Sequence, residues 1–582
     1  MKTDPPSLQD TGSRSSPPSR RLRRILVALP VLALVVVAGL AAFDAVRTVG
    51  EVRLGREAFA GVAHKSFAAQ GRLKLEADRG VRHFTRAEGI AGRSIWLEAW
   101  SRVPFLGRPA RWLRAAAETT ASLARRAASA VGRIEPRLEQ LGDAEGRLEL
   151  LRLVEDEFVG LQRAVEAVRL PSTGGFLPPF ESASKELDDE LTDLSRALSD
   201  GADAARGIRS FLAGPSVYLV LAANNAEMRA GGMVLQVGAL HARGGRIAPG
   251  HFRSTAELGL ATPVEVPTEM QALYGWLEPG REWRNVGSSP NFPAIGPVYA
   301  AMVDRLGFHV DGILQIDVRG VRDLLDAIGP VEAGGRLYEA TNVERLVLHD
   351  LYAEFGAEQG ARRSEFSELA GETLRAVDAR KWEPARMVRA LKSMAAGRHL
   401  LAWSARPEQQ SAWAGLGIDG ALERDGLMLT VQNHTGNKLD WFVRPTVELT
   451  VEHPRREWRR VRARIRIENP TPAGEPPYVL GDGKLVPPGA HRALVAVYLP
   501  GWATNVELTG GSVALVGPDG PMRVIGTRLD IAQGGSVTLE VVFSVPPEIT
   551  RIVVLPSARP RPVRLSVGGR SLDDRVRRVV EI

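Results

Sequence analysis

The chain has no cysteine. Disulfides, thiolate zinc sites, iron–sulfur clusters and cysteine nucleophiles are thereby excluded, and redox chemistry leaves the compartment open. Lysine is nearly as scarce: eight are scattered from Lys2 to Lys484, so arginine supplies almost all of the 75 basic residues. The 68 acidic residues are interleaved with these arginines nearly everywhere beyond the N-terminus. A net charge of +7 spread in this way does not make a nucleic-acid surface, which needs basic residues clustered without acids. Standard catalytic signatures are missing too. There is no GxSxG elbow, Walker A loop or HExxH, and no two of the ten histidines stand at helical metal spacing.

What is there is ordinary globular composition, 44% hydrophobic and 25% charged, over 582 residues, a length that suits about three domains. Residues 1–24 read as a disordered tail that ends in Arg20, Arg21, Arg23 and Arg24. Residues 25–43 carry no charge and nearly match a bilayer core in length, so they predict a transmembrane helix as the anchor. The basic cluster would keep the N-terminus cytoplasmic, with the bulk of the chain outside the cytoplasmic membrane. The small residues Gly39, Ala41 and Ala42 leave a cleavable signal peptide as the other reading.

Beyond the anchor three textures follow. Residues 44–213 are rich in Ala, Leu, Arg and Glu, with apolar residues at helical spacing such as Leu141, Leu148, Leu151 and Val154, and predict a membrane-proximal helical bundle. Residues 214–445 alternate short apolar runs with helical patterns and predict an α/β sheet domain. Residues 446–582 alternate apolar and polar side chains between hairpin signals such as Pro518-Asp519-Gly520, which predicts a C-terminal antiparallel β-sandwich. The expected fold class is thus multidomain.

The densest polar cluster follows the first predicted strand, as Asn224-Asn225-Ala226-Glu227-Met228-Arg229-Ala230-Gly231-Gly232. Ligands of open sheets gather beyond the carboxyl ends of strands, so Glu227 is a candidate base or metal ligand and Arg229 a candidate grip on phosphate. Gly231 and Gly232 would let backbone N–H groups approach an anion, with Asn224 and Asn225 beside them. The structural alternative is a strand end capped by asparagine, with Glu227 and Arg229 as an internal ion pair. Asp317 faces the same choice between a site in that crevice, where it is a candidate metal ligand, and a helix N-cap. Arg362 and Arg363 would supply cations to an anionic ligand or lie on a solvated helix face. Lys438 and Asp440 read as a surface pair beside Asn433 and Asn437. The loop from Trp283 to Phe292 mixes aromatic and polar residues in a way that suits glycan contact or irregular packing.

The string from Val217 to Gly232 resembles the hallmark of the bacterial domain of unknown function 4012 family, a strand followed by Asn-Asn-Ala-Glu-Leu-Arg and then Gly-Gly. Further likeness lies in Asn285 to Pro293, Asp311 to Asp317, Gly329-Pro330, Gly397 to Leu401 and Asn437 to Asp440, and extends over most of residues 95 to 545. Asn291 departs from the family pattern, which has Asp before Phe-Pro. The α/β part is also similar to the LytR-CpsA-Psr family of membrane-anchored enzymes, which transfer glycopolymers from a polyprenyl-pyrophosphate carrier to the cell wall. In those enzymes arginines bind the pyrophosphate and carboxylates hold magnesium. The resemblance implies a diphosphate between Arg229, Arg362 and Arg363, with magnesium on Glu227 and Asp317.

Two functions are therefore weighed. One is a non-catalytic scaffold or glycan-binding protein of the cell envelope, whose partner is a lipid-linked glycan or wall polymer. The other is a phosphotransferase-like enzyme acting on that carrier, with charge neutralisation of the leaving group supplying most of the rate enhancement. The absence of the full set of arginines and aspartates favours the first.

Overall fold

The computed structural model describes residues 40–58, 72–103, 107–172, 178–379, 382–455 and 458–582. It corrects the expected architecture at the N-terminus. The fold is multidomain α/β with several sheets, and among the described residues no helix is long and apolar enough to cross a membrane. The stretch 25–43 lies outside the described residues up to position 39. From Leu40 the chain is helical to residue 58, and Asp44, Arg47, Glu51 and Arg53 interrupt any apolar run there. The transmembrane element of the predicted fold class is withdrawn on that ground.

The chain divides into two compact units. The first comprises residues 1–64, 74–131 and 164–193, and its described part is helical. Alanine dominates its contacts: Ala91, Ala110, Ala116 and Ala117 pack with Leu97, Trp112 and Leu113, and Ala121 and Ala124 with Phe84. Small side chains let helix axes approach closely, which is why so Ala-rich a sequence still makes a core.

The second unit comprises residues 65–73, 132–163 and 194–582, so part of the helical region 44–213 folds with the sheets. Its first sheet is built from β1 (Ser216–Asn224), β2 (Met233–Arg243), β3 (Arg246–Pro249), β4 (Arg253–Ser254), β5 (Gly312–Asp317) and, beyond the hairpin β6 (Val331–Ala333) and β7 (Arg336–Tyr338), β8 (Leu400–Ser404). The order is β3-β2-β1-β5-β8, with β4 also on β2. Only β1 and β5 run parallel. The apolar run of β1 is needed on both faces. Tyr218 and Val220 enter one core with helix residues Leu324, Leu325 and Phe366, while Leu219 and Leu221 enter another with Met270, Ile295 and Met302. Helices thus cover both faces, as parallel pairing at the centre requires.

Twelve further strands make a sandwich: β9 (Gly426–Asn433), β10 (Arg444–Arg455), β11 (Trp458–Glu468), β12 (His491–Leu499), β13 (Thr504–Thr509), β14 (Val513–Asp519), β15 (Met522–Ile531), β16 (Ser536–Val545), β17 (Arg551–Val554), β18 (Arg564–Val567), β19 (Arg570–Asp573) and β20 (Arg578–Glu581). One sheet has the order β13-β16-β11-β10-β18-β19 and the other β14-β15-β12-β9-β17-β20. Two findings differ from the sequence reading. The sandwich is not purely antiparallel, because β17 lies parallel to β9 and β18 parallel to β10. Residues 426–433, placed by sequence in the α/β domain, form β9 in the middle of a sandwich sheet. That sheet is buried on both faces: Leu429, Val431 and Val495 point into the sandwich with Val461 and Ile465, whereas Met428, Leu494 and Tyr498 pack on Leu273 and Tyr274 of the α/β layer. A strand covered on both sides reads as one apolar run, the same pattern a central α/β strand makes.

Candidate functional site

The parallel register sets Ala222 beside Ile316 and Ala223 beside Asp317, so the chain leaves β1 and β5 at the same end of the sheet. The Asn224 side chain turns the backbone by accepting from Ala226 N at 2.8 Å. Asn225 bridges outward, with Nδ2 donating to Asp317 Oδ2 at 3.2 Å and to the Ala558 carbonyl at 2.8 Å. Asp317 caps the helix Val318–Ile328 through Oδ1, which accepts from Gly320 N at 2.8 Å. Its Oδ2 meets His399 Nδ1 at 2.8 Å. Gly232 has φ +92°, and a Cβ there would stand 3.3 Å from Asn225 Nδ2 and Ala223 Cβ, so a residue without a side chain is required. The backbone around Gly231 is turned inward, since its carbonyl accepts from Gln315 Nε2 at 3.3 Å.

Glu227 and Arg229 lie at the heart of the motif, each 8% exposed, and they do not pair with each other. Glu227 Oε1 meets Lys438 Nζ at 2.7 Å. Arg229 donates through Nε and Nη2 to Asn285 Oδ1 at 3.1 and 2.9 Å, and through Nη1 to the Asn433 carbonyl at 2.5 Å. Burial pulls its guanidinium down to about 10, although the charge of Glu227 opposes that shift. Lys438 Nζ also donates to the Gly436 carbonyl at 2.6 Å and stands 5.1 Å from the ring centres of both Tyr352 and Tyr478. Arg362 reaches the same two rings at 4.6 Å and donates to Tyr478 Oη at 2.8 Å. Arg363 diverges: its Nη2 donates at the surface to Gln359 Oε1 at 2.8 Å. The Tyr352 hydroxyl is buried without a hydrogen-bond partner, and burial, with the charge of Glu227, pushes it well above its usual range.

The sequence reading missed the residue around which this end of the sheet is organised. Asp440 is fully buried, and Lys438 is 4% exposed, so neither belongs to a surface pair. Asp440 Oδ2 accepts from Met228 N at 3.0 Å and Asn433 Nδ2 at 2.9 Å, and Oδ1 accepts from Arg559 Nη2 at 3.1 Å. His491 Nε2 stands 3.5 Å away, without a hydrogen bond. Burial would push this carboxyl up, but His491, Arg559 and the Met228 N–H outweigh it and hold it at about 2. A lysine and an aspartate two apart in a polar loop carry no sign of burial; their separate partners, Glu227 and Arg559, come from distant segments. The loop from Trp283 to Phe292 is likewise interior, with Trp283, Ser288, Ser289 and Phe292 all buried and Ser289 Oγ donating to Asp519 Oδ2 at 2.7 Å.

Apart from Arg363, the predicted site residues are therefore brought to one region, but as internal fasteners. Asn225, Met228 and Arg229 tie the end of β1 to Ala558, Asp440 and Asn433 of the sandwich side. The expected magnesium does not fit the donors present. Glu227 is neutralised by Lys438, Asp317 already accepts from Gly320, Asn225 and His399, and among the described residues no three His, Asp or Glu side chains gather as a metal would need.

No curated protein and no solved structure matches the chain. The likeness to the LytR-CpsA-Psr enzymes has no support from these comparisons. Residues 213–352, which carry β1, the Asn224–Gly232 motif and β5, match the model of a family described as protein of unknown function (DUF4012), and that match supports the resemblance to the family.

Proposed function

We propose that this protein is a non-catalytic scaffold or glycan-binding protein of the cell envelope. One observation carries the reading: the two groups best suited to phosphotransfer, Glu227 and Arg229, are spent on separate internal partners, Lys438 on one side and Asn285 with the Asn433 carbonyl on the other. A guanidinium held by an amide oxygen and a backbone carbonyl, 8% exposed, has no open fork for a diphosphate. Removing such groups from their partners costs more than a weakly held ligand returns. The envelope setting rests on the sequence resemblance of the Val217–Gly232 strand and loop to glycopolymer transferases, whose chemistry Glu227 and Arg229, paired as they are here, do not supply.

The test is binding of a polyprenyl pyrophosphate to the full chain, with and without magnesium, for wild type, Arg229→Ala and Arg229→Lys. The reading expects no magnesium-dependent binding, and variants that differ from wild type in stability alone. Magnesium-dependent binding that disappears in Arg229→Lys at unchanged unfolding midpoint would overturn it and restore the phosphotransferase.

A further inference from the structure

Between β11 and β12 the chain makes a connection of 22 residues, 469–490, that carries six prolines and four glycines. A connection of that length inside a compact domain is uncommon unless it closes over something. Its two feet are fixed: Asn469 Nδ2 donates to the Gly489 carbonyl at 2.8 Å and Asn437 Nδ2 to the Ala490 carbonyl at 2.8 Å. Its middle, from Glu475 to Leu480, lies between Gly474 at φ +90° and Gly481 at φ +96°, where glycine turns without strain. Three contacts hold that middle down. Tyr478 stacks on Tyr352 with ring centres 6.2 Å apart and accepts from Arg362 Nη2 at 2.8 Å. The Val479 carbonyl accepts from Lys438 N at 3.0 Å, and Glu475 Oε2 meets His349 Nε2 at 2.9 Å. The segment thereby covers Lys438, the partner of Glu227.

His349 is gripped from two sides, since its Nδ1 meets Asp350 Oδ1 at 2.7 Å while its Nε2 meets Glu475. A neutral imidazole carries one N–H and satisfies one carboxylate; only the imidazolium donates to both. Burial works against that charge, but the hydrogen bonds to Asp350 and Glu475 outweigh it and raise the imidazole above its usual value. Of its other neighbours, Arg345 reaches Asp350 at 3.1 Å, and Phe442, edge-on with ring centres 5.6 Å apart, carries no charge. When the proton leaves, Asp350 keeps Arg345, whereas Glu475 meets no other cation within 4 Å among the described residues. Glu475 is therefore the partner that is released. The sign follows from the raised titration of the closed form: closure is complete below about pH 6.5 and weakens as pH climbs through the raised value.

We propose that residues 474–481 form a pH-dependent strap over the Glu227–Lys438 pair, clasped by protonated His349 and loosened when that proton is lost. The strap does not depend on whether a glycan is bound, because each of its contacts is internal to the chain. The experiment follows exchange of the Lys438 amide, whose acceptor is the Val479 carbonyl of the strap, in the full chain at about pH 6 and about pH 8.5, each rate divided by the intrinsic rate at that pH. Across this range His434 is already neutral and Asp440 already charged, so neither adds a step. Expected in wild type is a fall in protection of about tenfold between the two conditions, the scale of one charge-assisted hydrogen bond. His349→Gln should show the lower protection at both, and Glu475→Gln, whose amide serves either form of the imidazole, should show no step. Amides of β9 report whether the second unit stays folded; if His349→Gln lowers them, Glu475→Gln on the exposed connection decides. Protection of Lys438 that is the same at both conditions in wild type overturns the clasp, as does a step that persists in His349→Gln. A step shared equally by the β9 amides is a change of the whole unit and also overturns it, and so does a His349 ring that titrates below about 6.5 by nitrogen NMR.

Discussion

Replacing Asp440 by Asn removes one charge from a place where no water can compensate. The carboxylate satisfies three donors, Met228 N, Asn433 Nδ2 and Arg559 Nη2, at 2.9 to 3.1 Å. An amide in the same volume presents one NH2 group, which must oppose either the Met228 and Asn433 donors or the Arg559 fork. Either way Arg559, 4% exposed, keeps its charge and loses its counter-ion. Breaking a buried pair by removing one partner costs about 3–5 kcal/mol. That is a large share of the roughly 5–15 kcal/mol that holds a folded chain together. Because the chain has two compact units, global denaturation mixes their transitions. The assay is therefore hydrogen exchange in urea on peptides covering β1 and β9, which report the second unit locally. Arg559→Met and the double variant complete a cycle, and the double variant should be more stable than the two single losses add up to. A local loss under about 1 kcal/mol in Asp440→Asn, or full additivity in the cycle, would refute the fastener. The pH arm has a definite sign. Asp440 titrates at about 2 in the folded chain against 3.8 otherwise, so its stabilisation is present above about pH 4 and disappears as pH falls towards 2.

Three further outcomes follow from the same geometry. Arg229→Ala should lower the stability of the second unit by about 2–4 kcal/mol, and Arg229→Lys should recover little, because one ammonium does not span Asn285 Oδ1 and the Asn433 carbonyl; hydrogen exchange in urea on the β1 and β9 peptides checks both. His434, stacked on Trp276, is pulled down to about 3 by burial and then by Arg229, Arg528 and His491. Since unfolding lets it take up a proton, stability should fall as pH drops from about 6.5 towards 3, and His434→Phe should flatten that slope by up to about 1 kcal/mol per pH unit, read from unfolding curves at pH 6, 5 and 4. Gly232→Ala should cost about 1–2 kcal/mol, because its φ of +92° is strained for a residue with a side chain; an unchanged thermal midpoint would contradict this.

Local features of the fold were readable from the residues. The β1 run of apolar side chains marked a strand buried on both faces, Asp317 before a helical pattern offered the cap that Gly320 N takes, and the period-two alternation of β11 sorted its arginines from its core residues. The site was legible only as a place. The Asn224–Gly232 motif does sit beyond the carboxyl end of a strand, but Asn225, Glu227 and Arg229 each find partners more than fifty residues away in the chain, and those partners turn candidate chemistry into fastening.

The sequence by itself determined what depends on neighbours along the chain: the periodicities that make strands and helices, the glycine that permits a left-handed turn, and the absence of thiol chemistry. Tertiary structure alone decided which charges are buried and with what. Lys438 and Asp440 stand two residues apart in one loop, yet one neutralises Glu227 and the other Arg559. Burial and pairing of a charge are set by the segments folded over it, and desolvation makes the choice of partner count for several kcal/mol. The same holds for β9, whose apolar run suits either domain until the layer on its second face is in place.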